Sequence, residues 1–233
     1  MTISPDTLEA LAALDTPTVC NALDIVAPDR RMIGFNRRPL ICPAATQGPI
    51  VGFARTAMIQ SREPGTRTAE EKRALRLRYY EMIENGPAPT IAVIQDMDGP
   101  DGGIGAFWGE VQSNIHKGLG CLGVITDGSV RDINEMAEGF FVLAGSVMPS
   151  HVWADLTAID IPVSIAGMQV DPGDLIHADS HGAVVIPHEA ASRIPEAAAR
   201  IVRREAVILE AARQPGFSTA DLRKAFAESD EIH

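Results

Sequence analysis

The chain has 233 residues, of which 45% are hydrophobic and 22% charged, and a formal net charge of −11 at pH 7. That acidic balance argues against a surface that holds nucleic acid by its phosphates, and no apolar run reaches the roughly eighteen residues that a membrane-crossing helix needs. The opening Met1-Thr2-Ile3-Ser4-Pro5-Asp6 has neither a basic region nor an apolar stretch, so no signal peptide is expected and the chain reads as cytoplasmic.

Residues 4 to 14 read as a helix capped by Ser4, with Pro5 at its first position, and Asp15-Thr16-Pro17-Thr18 opens a second one. Pro28 to Ile50 is rich in Pro, Arg and Gly and reads as irregular, whereas Val51 to Ala57 alternates like a strand. Thr68 to Ile83 is a charged helix stopped by Asn85-Gly86-Pro87. Thr90 to Gln95 and Cys121 to Thr126 are short apolar strands on either side of a helix running from Glu110 to about Lys117. That sequence of elements makes a βαβ unit. A second helix is expected from Asp132 to Glu138, then a strand over Phe140 to Ala144. Pro162 to Ala166 and Gln169-Val170 read as a hairpin, Asp171 to Asp174 as a turn, and Leu175 to Asp179 and Ala183 to Pro187 as strands. Pro195 to Arg213 is one long helix, and Ser218 to Phe226 a short last one. The whole chain, residues 1–233, reads as a single mixed α/β domain with a helical insert at about 62–89 and a C-terminal helical segment at about 195–228.

Chemistry concentrates in the βαβ unit. Twenty residues separate Glu110 from the adjacent Arg131-Asp132, and both points follow short strands. The spacing therefore brings a carboxylate, a guanidinium and a second carboxylate to one sheet edge, where α/β folds carry their ligands. Gly109 lets a ligand approach the backbone, and the free amides of Glu110, Val111 and Gln112 suit a carboxylate. Arg131 offers a planar fork of donors. Asp132 is a hard oxygen ligand suited to Mg²⁺ or Mn²⁺ completed by water. A metal and an arginine around a 2-oxo acid would stabilise an enolate, as aldol cleavage or decarboxylation requires. The plain alternative is that Asp132 caps a helix and Arg131 pairs with Glu110 on the surface.

Four other features have bland and functional readings. Asp96-Met97-Asp98-Gly99, followed by Asp101, has a calcium-loop look but reads as a solvated turn. His177-x-Asp179-x-His181 could offer a metal three side chains, yet reads as a polar strand end. His151 could contact substrate or act as an acid, or be a satisfied loop histidine. The cysteines, Cys20, Cys42 and Cys121, lack metal-like spacing and read as buried thiols.

Trp108-Gly109-Glu110, Gly118, Gly120, Gly123-Val124, Asp127-Gly128 and Arg131-Asp132 resemble the signature of the RraA-like family. Pro172-Gly173-Asp174, Ala178-Asp179, Gly182 and Ile186-Pro187 are similar to its C-terminal strand pattern, and the resemblance runs from about residue 15 to 212. It implies a swivelling β/β/α fold with flanking helices, assembled as a trimer or hexamer. It also implies the class II pyruvate aldolase activity found among family members, on 4-hydroxy-4-methyl-2-oxoglutarate or 4-carboxy-4-hydroxy-2-oxoadipate, with oxaloacetate decarboxylation. By that resemblance Arg131, Glu110 and Glu205 would be catalytic. Gly109 to Gln112 and Arg131 would hold the 2-oxo acid, Asp132 the Mg²⁺ or Mn²⁺, and Glu205 would reach a neighbouring subunit's site. The 62–89 insert and the 96–103 loop are longer than in the compact aldolases and are expected to reshape the pocket. The family also contains non-catalytic regulators that bind ribonuclease E, which is the binding-protein alternative.

Overall fold

A computed structural model of the chain describes residues 3–43, 48–98 and 102–232. Helices α1 (Pro5–Ala12) and α2 (Thr16–Val26) lead into β1 (Ile50–Gln60), α3 (Ala69–Glu84), β2 (Thr90–Asp96), β3 (Ala106–Trp108), α4 (Glu110–Gly118) and β4 (Cys121–Thr126). Then come β5 (Ser129–Val130), β6 (Phe141–Leu143), β7 (Ser146–Val147), β8 (Asp155–Ile159), β9 (Val163–Ile165) and β10 (Met168–Val170). Strands β11 (Leu175–Asp179) and β12 (Gly182–Ile186) and helices α5 (Ile194–Ala212) and α6 (Thr219–Asp230) complete the chain. The expected start of α1 is present, with Ser4 accepting the Thr7 amide, Asp15 accepts the Thr18 amide where the second helix opens, and Thr68 with Glu71 forms a capping box at the start of α3.

The main sheet runs β12-β11-β1-β2-β4-β6, and β8 pairs with the far half of β1. Strands β1, β2, β4 and β6 are parallel, while β11 and β12 join as an antiparallel hairpin. Strand β2 is buried on both faces, and its side chains divide with period two. Ile91 and Val93 pack with Val163, Ile165 and Met168 of the β9–β10 hairpin, whereas Ala92 and Ile94 pack with Tyr79, Trp108 and Phe140. A third cluster packs α1, α2 and the start of α5 over Leu175, Val184 and Ile186.

The insert is tied down along its length. Arg55 donates to the carbonyls of Met82, Asn85 and Pro87 at its exit, and Arg67 to those of Leu156 and Thr157 at its entry.

One reading of the sequence needs correction, and one element has no counterpart in it. Residues 133–139 form turns instead of a helix, because Asp132 sits at φ +50, outside right-handed helical space, and only isolated bonds such as Glu135 N–H to the Asp132 carbonyl follow. Short strands β3, β5 and β7 form a separate parallel three-stranded sheet. Pieces of two or three residues are too brief for a period to register in the sequence.

Candidate functional site

The small sheet builds the site. Ala106 pairs with Ser129 and Trp108 with Val130, while Ser129 pairs with Ser146 and Val130 with Val147. Three parallel strands thus end side by side, and each delivers one turn. The turn after β3 gives Gly109 and the start of α4, the turn after β5 gives Arg131 and Asp132, and the loop after β7 gives His151. Backbone bonds fix the register: the Arg131 amide donates to the Trp108 carbonyl at 2.9 Å, and the Met148 amide to Val130 at 3.0 Å.

These turns line a cavity of about 280 Å³ that includes Gly109, Val111, Gln112, Arg131, Asp132 and His151. At Gly109 the backbone is extended, so the glycine answers a need for space. A Cβ there would stand 2.6 Å from Asp132 Oδ2 and 3.2 Å from Arg131 Cγ. The Asp132 carboxylate can therefore lie against the start of α4, where its Oδ2 is 3.4 Å from the Glu110 amide and 3.5 Å from Arg131 Nε. No side chain within the helix caps α4. Asp132 thus approaches α4 from a distant strand and caps no helix of its own, and Arg131 pairs with Asp132 instead of Glu110. The Glu110 amide faces this carboxylate, but its exposed side chain is not among the residues lining the cavity.

His151 is in the cavity wall. Its Nδ1 donates to the Val152 carbonyl at 2.8 Å, which leaves Nε2 of the neutral ring as the acceptor. The supporting loop is held by the Ala106 amide on the Ser150 carbonyl and the Trp153 amide on Ser61. Val152 adopts φ +44, an unusual conformation for a β-branched residue.

Beneath α4 lies a buried aromatic cluster. His116 Nδ1 donates to the Gln112 carbonyl at 2.7 Å, so its Nε2 accepts the Tyr79 hydroxyl at 2.8 Å. Burial lowers the His116 pKa to about 4, against the upward pull of its bond to Gln112. The Tyr80 hydroxyl donates to Gln112 Oε1 at 3.0 Å. The insert thus supports the residues that carry the amide cradle. It also contributes Arg76 to the cavity wall, although the Arg62 to Arg78 stretch reads in sequence as a solvated face or subunit contact. Its signal was available: Arg76, Tyr79 and Tyr80 stand at i, i+3 and i+4 on one helix face.

The other candidates resolve differently. His177 is fully buried, with Nδ1 on the Thr16 hydroxyl at 3.0 Å and Nε2 on the Leu14 and Leu11 carbonyls at 3.0 and 3.2 Å. Asp179 accepts the Thr16 and His181 amides and the His181 ring. Burial pushes the Asp179 carboxyl up, but those bonds together hold it below the usual range. The stretch fastens the N-terminal helices to β11. Asp96 is buried, not solvated: it accepts the Asp98 and Gly103 amides, while Asp98 takes the Ser61 hydroxyl and amide. Gly99 to Asp101, the rest of that loop, lie outside the described residues. Cys121 is buried, but Cys20 and Cys42 are only partly so. Glu205 is exposed on α5 and does not line the cavity of its own chain. Among the described residues no helix is long and apolar enough to cross a membrane.

The sequence profile of the RraA-like family, described as Aldolase/RraA, matches residues 16–185. An uncharacterised protein of Methanocaldococcus jannaschii is 37% identical over 107 residues, 45% of this chain and 51% of that protein, so the match spans about half of that relative's length. A protein of Halalkalibacterium halodurans named "Putative 4-hydroxy-4-methyl-2-oxoglutarate aldolase" is 28% identical over 175 residues, 73% of this chain and 72% of its own. Among solved structures, an uncharacterised protein from Pseudomonas syringae pv. tomato matches with a TM-score of 0.71 at 22% identity, over 98% of this chain and 96% of the other. RraAS2 of Streptomyces coelicolor, described as an unusual member of the RNase ES inhibitor RraA protein family, matches with a TM-score of 0.69 at 22% identity, over 88% and 96%. These structural likenesses show the fold, which is RraA-like.

Proposed function

The chain belongs to the RraA-like family, and on that premise we propose that it is a divalent-metal-dependent lyase that cleaves or decarboxylates a 2-oxo acid. The observation that carries this reading is the convergence of the α4 amides, Arg131 and Asp132 on one cavity from adjacent parallel strands.

Among the described residues no group of three or more His, Cys, Asp and Glu side chains could hold an ion. A cage made wholly of protein is therefore not what these residues offer. The single Asp132 carboxylate, about one-third exposed at the cavity, suits Mg²⁺ or Mn²⁺, which keep several waters and use one or two carboxylates. When bound, the ion would supply a Lewis acid for the 2-oxo oxygen.

The chain's own groups do the rest. The Val111 and Gln112 amides at the uncapped start of α4 hold the substrate's C1 carboxylate. The Arg131 fork faces the C2 oxygen and stabilises the negative charge that collects there as the bond to C3 breaks. In decarboxylation that bond releases carbon dioxide, and C3 of the enolate then takes up a proton from solvent. In aldol cleavage the C4 hydroxyl must also lose a proton, and we assign His151, a residue of the cavity wall whose Nδ1 is already bonded to Val152, to accept it on Nε2 and return it to C3 of the enolate.

A subunit-shared site is part of the same proposal. Helix α5 leaves Val202 56% and Leu209 45% exposed, with Glu205 between them, so an apolar stripe remains open for a second chain of a trimer or hexamer. Glu205 would enter the neighbouring site there. Refolding Arg131→Ala chains together with Glu205→Ala chains should restore part of the activity that each lacks alone; no recovery would remove Glu205 from the mechanism.

The deciding experiment measures pyruvate release from oxaloacetate and a panel of 4-hydroxy-2-oxo acids, with Mg²⁺ or Mn²⁺ and with EDTA. Turnover that EDTA abolishes is expected. If no substrate turns over with either metal, the lyase reading fails in favour of a non-catalytic protein that binds a ribonuclease or another partner.

A further inference from the structure

In the lyase site the far end of the substrate has no assigned partner, and the cavity wall holds a second guanidinium, that of Arg76. Arg76 projects from α3, on the face whose Tyr79 and Tyr80 grip α4, and lines the same cavity as Arg131. Its charge is only partly neutralised. Arg76 Nη2 lies 2.9 Å from Asp155 Oδ1, but Asp155 Oδ2 also holds the Lys72 ammonium at 3.4 Å. One carboxylate therefore faces two cations. The Arg76 side chain remains 43% exposed, whereas Asp155 is 14% exposed and lies outside the cavity lining.

Among the described residues the charged side chains of the cavity wall are Arg76, Arg131 and Asp132, which together carry net positive charge in a chain of net charge −11. A second guanidinium in such a small space, whose one carboxylate is shared with a lysine, favours a further anionic partner, and its planar fork matches a carboxylate. A substrate with one carboxylate, held on the α4 amides with its oxo group at Arg131, would leave Arg76 with only the carboxylate that it shares with Lys72.

We infer that Arg76 binds a second carboxylate of the substrate, so that the site selects dicarboxylic over monocarboxylic 2-oxo acids and the insert supplies the specificity-determining residue. The inference rests on the 2-oxo acid reading of the site.

The test uses two probes that lack a C4 hydroxyl, 2-oxoglutarate and 2-oxobutyrate, titrated calorimetrically into the full chain with Mg²⁺. Wild type should bind 2-oxoglutarate tighter by roughly tenfold to a hundredfold, the range for hydrogen bonds to a charged group. Arg76→Ala should erase that preference and leave 2-oxobutyrate within about twofold, as expected for contacts it does not make. Asp155→Asn separates binding from architecture: it breaks the ion pair but keeps the guanidinium, so it should retain the preference. Equal binding of the two acids by wild type, or a preference that survives in Arg76→Ala, overturns the inference and leaves the lyase reading intact. Loss of the preference in Asp155→Asn to the same extent as in Arg76→Ala makes Arg76 structural and also overturns it. Failure of wild type to bind either acid removes the 2-oxo acid reading itself, and this inference with it.

Discussion

The chain ends two short strands in much the same way, with Arg131-Asp132 after β5 and with His177 and Asp179 on β11. From sequence, each offers a carboxylate beside a cationic or titratable side chain. In the fold they have opposite fates. Both ring nitrogens of His177 are bonded, and both oxygens of Asp179 accept backbone amides, leaving its side chain 7% exposed. The Asp132 carboxylate is 35% exposed, with one long amide contact at 3.4 Å and Arg131 at 3.5 Å. Residue type does not separate a site from a fastening; unspent hydrogen-bonding capacity facing a cavity does.

Replacing Arg131 should produce the largest effect and strikes the open side of this comparison. Arg131→Lys keeps the charge and loses the fork, so kcat should fall by roughly 100- to 1,000-fold, the scale of losing an oxyanion donor. The melting temperature should hardly move. A near-wild-type rate would remove Arg131 from the chemistry.

The buried histidines sharpen the comparison through acid. His116 has an ordinary pKa of 6.5 and a folded value of about 4, and His177 is also lowered, chiefly by burial. Above pH 6.5 both states leave these rings neutral, and their contribution to stability is complete. Below it the unfolded chain takes up protons that the folded chain resists, so stability is lost as pH falls towards about 4. For His116 the loss amounts to roughly 3 kcal/mol at most. Buried Asp96 and partly buried Asp127, whose carboxyls desolvation raises, titrate with the opposite sign. The useful measurement is therefore the difference between wild type and His116→Gln in urea unfolding at pH 7 and pH 4.5. Parallel changes in the two proteins would mean that His116 does not carry the acid sensitivity.

Much of this architecture is legible in the residues themselves. The caps at Ser4, Asp15 and Thr68, the apolar strands β2 and β4 and the hairpin after Pro162 all follow from local chemistry and period. The family signature also draws attention to Gly109 and Arg131-Asp132. The small sheet that brings those residues together is not legible, because its register depends on long-range pairing between pieces of two or three residues. Arg76 escapes for a related reason: its place in the wall depends on α3 docking through Tyr79 onto His116, a contact 37 residues away in sequence. The fate of His177 was hidden similarly, since its partners Leu11, Leu14 and Thr16 lie more than 160 residues away.

On the fastened side, His177→Ala should lower stability by about 2 kcal/mol, because it strands the Thr16 hydroxyl and two carbonyls in a buried place. The folded fraction should keep its kcat. A variant with normal stability and lost activity would reverse the roles assigned to the two strand ends.

The smallest effect belongs to His181. Its side chain is 60% exposed, and its ring lies 3.1 Å from Asp179, whose oxygens are already served by backbone amides. An exposed contact of that kind contributes little, so His181→Ala should change unfolding free energy by less than about 0.5 kcal/mol. The same variant tests the remaining claim of this stretch to be a metal site. Were His177, Asp179 and His181 a ligand set, removing His181 would sharply weaken binding of Zn²⁺ or Mn²⁺. With His177 turned inward onto Thr16 and two carbonyls, it cannot share an ion with the exposed His181 unless the N-terminal helices detach. Metal titration followed by melting temperature should therefore give the same response for wild type and His181→Ala, and a metal-induced rise confined to wild type would overturn the assignment of this strand end to the fold.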